Sequence, residues 1–544
     1  MLTQGDHVTR TSLSARKGAI ALLSGGALLL GGLATMPANA APAQSGCETR
    51  TNNTYSKLLE CVRLEGVREH QAALQAIADA NGGNRAEGTA GYTASVDYVL
   101  GVLAAAGWDA EKVPFEYQAT DTLLRQLTPA QATYPTAGFT GTGEGDVTGA
   151  VIPVDVKLSG DRVNSSGCEA SDFAGLDFSG PNDIALIQRG ACNFTFKAIN
   201  AEAAGAEAVI IFNQGDTIGA GDRTGLFIGT LGGGGDNIVG IPVLGASFAN
   251  GQALAAAGST AQVKIDFLTK TSYNVFGELA GRNDDNVVMA GAHLDSVPEG
   301  PGINDNGSGS AALLEIAQVT SKLRPENTLR FAWWGAEELG VVGSTQWAHD
   351  QSQAELDRIA LYLNFDMIGS PNHIFMVYDA NESSFEAPAG VTIPEGSAAI
   401  EKVFESFYTL RGEPYDDSQF SGRSDYQAFI KSGIPSSGLF TGAEVRKTEE
   451  QEAIWGGTAG EQFDPCYHQA CDTYANNNDH ALEVNSDAVA FAVLTFAYST
   501  EAVNGVPGTK VPGNFTIPAP AGPEHTFAGP LGGDSVHDHE AQAS

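Results

Sequence analysis

The chain has 544 residues, 42% hydrophobic and 17% charged, a globular balance with room for roughly two to four domains. Its formal net charge of −36, from 65 acids against 29 bases, argues against nucleic acid and anionic membranes as partners, because both require a basic face. Residues 1–40 read as a secretory signal peptide. Arg10, Arg16 and Lys17 form a basic start, Gly18 to Leu33 an apolar stretch, and Ala38-Asn39-Ala40 a small-x-small cleavage site. The apolar stretch is short for a membrane anchor, so the mature chain is expected outside the cell, secreted and without a membrane partner. Six cysteines remain, and an even number in an exported chain favours disulfides. Their clustering suggests three local bridges, Cys47–Cys61, Cys168–Cys192 and Cys466–Cys471.

Residues 41–119 open an α/β domain. After an extended lead-in, Tyr55 to Asn81 carries apolar residues near a 3.6 period and predicts one helix, ended by Asn81-Gly82-Gly83-Asn84. Tyr92 to Ala106 predicts a second helix, closed by Gly107, and Val113 to Tyr117 alternates as a strand. From residue 120 to 268 the character changes to Gly, Thr and Val with short strands. These are expected at Val151–Val156, Ile184–Gln188, Val209–Phe212, Ile241–Leu244 and Val263–Phe267, with one helix at Phe196–Ala204. The run IALIQRGACNFTFKAINAEAAGAEAVIIFN, Ile184 to Asn213, closely resembles the protease-associated domain. That resemblance implies a non-catalytic accessory module beside a peptidase active site. The loop LGGGGDN, Leu231 to Asn237, is expected to be flexible; no Lys-Ser/Thr follows it, as a phosphate loop would need.

The α/β pattern resumes over residues 269–503. Strands are expected at Tyr273–Gly277, Val287–Ala292, Leu329–Trp334, Leu361–Phe365 and Ser437–Thr441. Helices are expected at Ser310–Lys322, Ser397–Arg411, Asp425–Lys431 and Val484–Tyr498, with a tight loop at Asp464–Asp472. Residues 504–544 are rich in Pro and Gly, end in a polar tail with His537 and His539, and read as linker and disorder.

Three of these buried strands run into acids and a histidine. His293 and Asp305 follow the first, Glu337 and Glu338 the second, and Asp366 the third; His468 lies in the loop flanked by Cys466 and Cys471. A buried strand rarely feeds casual charge, and sites in open α/β sheets collect at strand ends. Imidazole and carboxylate together suit zinc. A pair of zinc ions needs one shared carboxylate and two unshared ligands each, a count that five of these residues meet. Of the adjacent glutamates, one could bind metal while the other acts as a base beside it. Asp295, two residues from His293, could reach its second ring nitrogen and orient it.

The runs MAGAHLDSV, GINDNGSGS, LRFAWWGAEELG, YLNFDMIGSPN, GRSDYQAF, GLFTGA, WGGTAG and FDPCYHQACD, with NGGNRA and GYTASVDYV nearer the start, resemble the secreted dizinc aminopeptidases of the aminopeptidase S and aminopeptidase Y family. The resemblance implies a zinc-exopeptidase fold, an α/β/α sandwich around a mixed central sheet, with the protease-associated domain inserted. It implies two zinc ions per chain, one on His293 and Asp366, the other on Glu338 and His468, bridged by Asp305. Glu337 would be the general base, and Tyr467 would assist at the tetrahedral intermediate. Arg423 would contact substrate, and Met367 and Phe440 would line an apolar specificity pocket. The Cys466–Cys471 disulfide would fix the His468 loop, and Asp305-Asn306 would be a cis peptide. Some relatives bind calcium near the C-terminal helix; Asp487 matches one such acid, while Glu483 stands where another is expected. The implied activity is removal of large apolar residues such as leucine from the N-termini of peptides or proteins, by a chain expected to be a monomer. Two readings compete with it. A carboxypeptidase or deacylase on the same scaffold would turn Arg423 to a terminal carboxylate or acyl group. A binding protein with a dead peptidase fold would have lost ligands, and all five are present.

Overall fold

The computed structural model describes residues 46–47, 49–215, 223–227, 229–232, 238–387 and 391–527. The expected signal peptide, positions 233–237 of the LGGGGDN loop, and His537 and His539 lie outside the described residues.

The strand Asn283–His293 runs parallel to Asn327–Trp334 on one side and to Ile359–Phe365 on the other, and Ser436–Phe440 continues parallel beyond. All seven residues of Ile359–Phe365 are buried, as parallel strands covered on both faces require. Alternate side chains serve the two faces. Val288, Ala290, Phe331, Trp333, Leu361 and Leu363 pack with the helices Leu64–Ala80, Ala90–Ala106, Gly307–Thr320 and Asp479–Tyr498. Met289, Ala332, Trp334 and Tyr362 pack on the other face against Trp347 and Phe429, with the Tyr362 and Phe429 rings stacked 3.7 Å apart. Met376–Tyr378 runs antiparallel to Ser436–Phe440 and parallel to Asp416–Ser418. The architecture is the expected helix–sheet–helix sandwich around a mixed sheet.

The other flank differs from expectation. The short strands predicted at Val113–Tyr117, Val263–Phe267 and Tyr273–Gly277 belong to two 20-residue strands, Asp109–Thr128 and Thr260–Leu279. They pair antiparallel from Asp109 opposite Glu278 to Gln126 opposite Ala261. One end of Thr260–Leu279 also pairs with Asn327–Trp334, and its other end with Gly145–Val154. Residues 119/120 and 268/269, where the character of the sequence changes, fall inside this ribbon. Residues 268–271 there are exposed, so the apolar pattern lapses while the backbone ladder continues. Beyond it, Gly145–Val154, Ile184–Gln188, Ala208–Phe212 and Val243–Ala246 form a parallel run with its own core, the helix Phe194–Ala204 supplying Ala198 and Ala201.

Two further expectations are corrected. The predicted helix Tyr55–Asn81 is two helices, Tyr55–Leu59 and Leu64–Ala80, interrupted where Cys61 bonds Cys47. All three expected disulfides form. Residues 505–527, expected as linker, pack on the domain instead. Phe515 packs tilted against Tyr55 with ring centres 4.9 Å apart, Gly522 N–H donates to the Tyr415 hydroxyl at 2.9 Å, and Thr526 N–H to Asp416 at 2.8 Å. Few apolar anchors in a polar stretch suffice once their partners lie far away in sequence.

Candidate active site

The carboxyl ends of the parallel strands open onto one cluster. His293 is the last residue of its strand, beside Trp334. Its Nε2 lies 3.1 Å from Asp305 Oδ1, 3.3 Å from Asp366 Oδ1 and 3.9 Å from Glu337 Oε2. His468 Nε2 lies 3.0 Å from Glu338 Oε2 and 3.3 Å from Asp305 Oδ2. Asp305 therefore turns one carboxylate oxygen to each imidazole. All six residues that sequence placed at the metal or as the base come together.

Local chemistry explains how Asp305 is held. It stands just before the helix Gly307–Thr320, and the Asp305–Asn306 peptide is cis. Asn306 caps that helix by accepting from Gly309 N–H at 3.0 Å, and its amide donates to the Phe365 carbonyl at 2.9 Å. A Cβ on Gly309 would overlap the Phe365 carbonyl, so only glycine lets the helix start lie against the strand end that carries Asp366. Asp472 accepts the backbone N–H groups of Asn304 and Asp305, each at 2.9 Å.

Asp295 differs in detail from expectation. His293 Nδ1 is bonded to the Asp295 backbone carbonyl at 3.2 Å, while the Asp295 carboxylate stands 3.7 Å from Nδ1. That carboxylate instead accepts from the N–H groups of Glu337 and Glu338, both at 3.2 Å. It thus fixes the turn bearing both glutamates. His468 is held by the Cys466–Cys471 bridge and has a left-handed backbone, φ 55°.

The cluster is rich in buried negative charge. Burial pushes the Glu337 and Glu338 carboxyls up, with the neighbouring acids adding to it. Burial pushes Asp425, also in this cluster, up to about 7. Desolvation opposes charge on His293 and His468, yet Asp366 and Glu337 around the first, and Tyr467, Glu338 and Asp305 around the second, outweigh it and hold both imidazoles well above their ordinary range. Glu338 Oε1 and Asp366 Oδ1 are buried and accept no hydrogen bond. His293, Asp305 and Glu338 offer ligand atoms within 4.8 Å of one another. The orphaned Asp366 Oδ1 faces His293 Nε2 at 3.3 Å, and carboxylates without hydrogen-bond donors beside imidazoles form a donor set that fits zinc.

Tyr467 stacks on the His468 ring, with centres 3.9 Å apart. Arg423, expected to touch substrate, is engaged at both ends: Nη1 with Glu444 at 2.7 Å and Nη2 donating to the Tyr467 hydroxyl at 2.9 Å. Met367 is buried, with φ 51°, and its carbonyl accepts from Thr441 N–H at 3.0 Å, which places it beside Phe440. Asp487, which matches a calcium-binding acid of some relatives, is paired with Arg411 at 2.6 Å, and Glu483 is exposed.

Several supporting residues escaped the sequence reading. Ser424 donates to Asp366 Oδ2 at 2.6 Å. The guanidinium of Arg85, fully buried, donates to the Pro301 carbonyl at 2.8 Å and the Gly302 carbonyl at 2.6 Å, shaping the loop before Asp305. Asp472 and Arg85 sit inside the runs DPCYHQACD and NGGNRA, but their partners are 168 and 217 residues away, which no local pattern reveals.

Comparison with known proteins agrees with this geometry. Peptidase family M28 matches residues 274–493, and the PA domain matches residues 147–254. An aminopeptidase of Pseudomonas aeruginosa is 47% identical over 458 residues, covering 82% of this chain and 83% of that protein. A probable lipoprotein aminopeptidase, LpqL, of Mycobacterium tuberculosis is 41% identical, covering 82% of this chain and 87% of that protein. A probable leucine aminopeptidase 2 of Aspergillus fumigatus is 43% identical over 63% of this chain and 66% of its own length. Among solved structures, a zinc aminopeptidase from Bacillus subtilis superposes with a TM-score of 0.62 at 26% identity, covering 79% of this chain and 94% of that one. No helix among the described residues is long and apolar enough to cross a membrane. With its strand-end cluster of imidazoles and carboxylates, the chain belongs to peptidase family M28, as a metallo-aminopeptidase carrying a PA domain.

Proposed function

We propose that this enzyme removes large apolar residues, leucine foremost, from the free N-termini of peptides, as a secreted monomer working with two zinc ions. His293 and Asp366 would hold one ion and Glu338 and His468 the other, with one carboxylate oxygen of Asp305 offered to each. The observation that carries this reading is the division of Asp305, whose Oδ1 faces His293 at 3.1 Å and Oδ2 faces His468 at 3.3 Å. When bound, zinc supplies Lewis acidity and lowers the pKa of water towards neutrality.

The chain's own groups do the rest. Glu337 takes the proton of the attacking water and passes it to the leaving amine. The Tyr467 oxygen already accepts from Arg423, so its own O–H is free to donate to the developing oxyanion. A preorganised donor of this kind is worth roughly 3–4 kcal/mol. Arg423 thereby positions Tyr467. The substrate's ammonium, with a pKa of about 8, finds Glu337 and Asp366 at the cluster's edge. Met367 and Phe440 receive the first side chain, and burying one such side chain contributes about 1.5–3 kcal/mol. Relatives named leucine aminopeptidase support the leucine preference. Three disulfides and the character of residues 1–40 support export.

The test pairs elemental analysis with two substrates, leucine p-nitroanilide and its N-acetyl counterpart. Two zinc per chain and hydrolysis of the unblocked substrate alone are expected; preference for the acetylated one would overturn the reading. Glu337→Gln should keep both metals and lose about 10²–10⁴-fold in kcat. Wild-type turnover in that variant would remove Glu337 from the role of base.

A further inference from the structure

We propose that Asp379, Glu401 and Asp417 form a second metal site, separate from the catalytic cluster, that takes a hard divalent cation of the calcium class. Asp379 follows the strand Met376–Tyr378, Asp417 lies in the neighbouring strand Asp416–Ser418, and Glu401 lies in the helix Ser397–Arg411. Each offers a carboxylate oxygen, and the three lie within 4.8 Å of one another. They are 2%, 0% and 0% exposed, so solvent does not screen them.

The hydrogen bonds around them leave a gap. Asp379 accepts from the N–H groups of Ser383, Ser384 and Phe385 at 2.9, 2.8 and 2.7 Å. Asp417 Oδ2 accepts from the Ser383 and Ser384 hydroxyls at 3.0 and 2.5 Å, and Glu401 Oε1 from Asn381 at 2.8 Å. The second oxygen of each of the last two, Asp417 Oδ1 and Glu401 Oε2, is buried with no hydrogen-bond partner. No Lys, Arg or His among the described residues makes an ion pair with any of the three.

Buried like charges this close need either protons or a cation. Burial pushes Glu401 up to about 9, with Glu405, Asp379 and Asp417 adding to it. The donor set is all oxygen, with neither imidazole nor thiolate, which disfavours zinc and copper and suits a hard ion. Calcium accepts six to eight oxygens in irregular arrangements, and the Ser383 and Ser384 hydroxyls stand beside the carboxylates to extend the count. Magnesium demands near-octahedral geometry and keeps its waters, for which a dry pocket is a poor host. A bound ion would pin the loop 379–387 to the helix and the strand. The C-terminal segment rests on that same loop, through His525 Nδ1 and the Ser384 hydroxyl at 3.0 Å and through the Phe385 and Phe527 rings.

The test uses the zinc-loaded full chain freed of calcium on a chelating resin and then titrated with calcium chloride at fixed zinc. Calcium should co-elute with the chain in gel filtration and raise its thermal midpoint by several degrees. Glu401→Gln and Asp417→Asn should lose both effects while zinc content and leucine p-nitroanilide hydrolysis hold. In calcium-free buffer Glu401→Gln should unfold no earlier than wild type, because without a cation the Glu401 carboxyl already holds a proton and the amide is a neutral group of the same shape. The proposal is overturned if calcium neither binds nor shifts the wild-type midpoint, or if the variants keep the shift. An equal shift with magnesium chloride would overturn the assignment to calcium.

Discussion

Asp295→Asn should injure the enzyme although Asp295 need not touch substrate. Its two carboxylate oxygens each accept one backbone N–H, from Glu337 and from Glu338, at 3.2 Å, in a site that is 0% exposed. An amide keeps one acceptor and turns an NH2 group towards the other N–H. One hydrogen bond to a charged acceptor is lost, at about 1.5–3 kcal/mol, and a buried N–H is left unsatisfied. Arg85 adds to the loss, since Asp295 is the strongest charge offsetting the burial of its guanidinium. A destabilisation of about 2–4 kcal/mol follows. The turn that aims the base and a metal ligand loosens with it, so metal affinity or kcat should fall about 10–100-fold. Urea unfolding of the zinc-loaded protein measures the first effect. Zinc competition against a chromophoric chelator, with kcat at saturating zinc, measures the second. Wild-type stability together with wild-type kcat would refute the reasoning; lost stability with unchanged metal affinity and kcat would reduce Asp295 to a packing residue.

Two other perturbations concern a buried carboxyl and the disulfide beside the site. Glu315, in the helix Gly307–Thr320, is pressed against Gly66, and burial raises its pKa from 4.5 to about 7. Below pH 4.5 both folded and unfolded chains hold this proton; between 4.5 and 7 the unfolded chain releases it first, so stability falls as pH rises, by up to about 3 kcal/mol. Glu315→Gln should therefore stabilise the chain at pH 8 and change little at pH 4.5, and a gain equal at both values in urea unfolding would contradict this. Cys466 and Cys471, five residues apart, close the loop carrying His468. A Cys466→Ser, Cys471→Ser double variant should lose about 2 kcal/mol and, more tellingly, zinc affinity, because His468 gains freedom; unchanged zinc affinity would mean the loop is held by Asp472 and by Asp464, which accepts from Cys466 N–H at 2.8 Å and from the Asn304 amide at 2.7 Å.

Much of the site was legible in the sequence because its chemistry sits at the ends of strongly apolar runs. VVMAGA leads to His293, LRFAWW to Glu337 and Glu338, and LYLNF to Asp366, and burial of the run explains why the following charge is not casual. The three disulfides followed from cysteine clustering. The ribbon Asp109–Thr128 with Thr260–Leu279 was not legible, because its middle faces solvent and a backbone ladder needs no apolar pattern. The break at Cys61 was hidden inside a helical period, since a disulfide constrains the backbone from outside the segment.

Covalent order alone therefore dictates which residue types can work together: histidine and acids released from buried strands, glycine and asparagine where the chain must turn sharply, cysteines a few residues apart. Only the folded chain decides which oxygen faces which nitrogen. That Asp305 divides its oxygens between His293 and His468, that the Asp295 carboxylate holds the backbone of Glu337 and Glu338 and leaves the imidazole to its own backbone carbonyl, and that Asp379, Glu401 and Asp417 meet at all are decided by the fold, with most of these partners tens to hundreds of residues apart. Such contacts arise from packing helices and strands against one another, and a linear pattern carries periodicity but not the direction in which a side chain meets its distant partner.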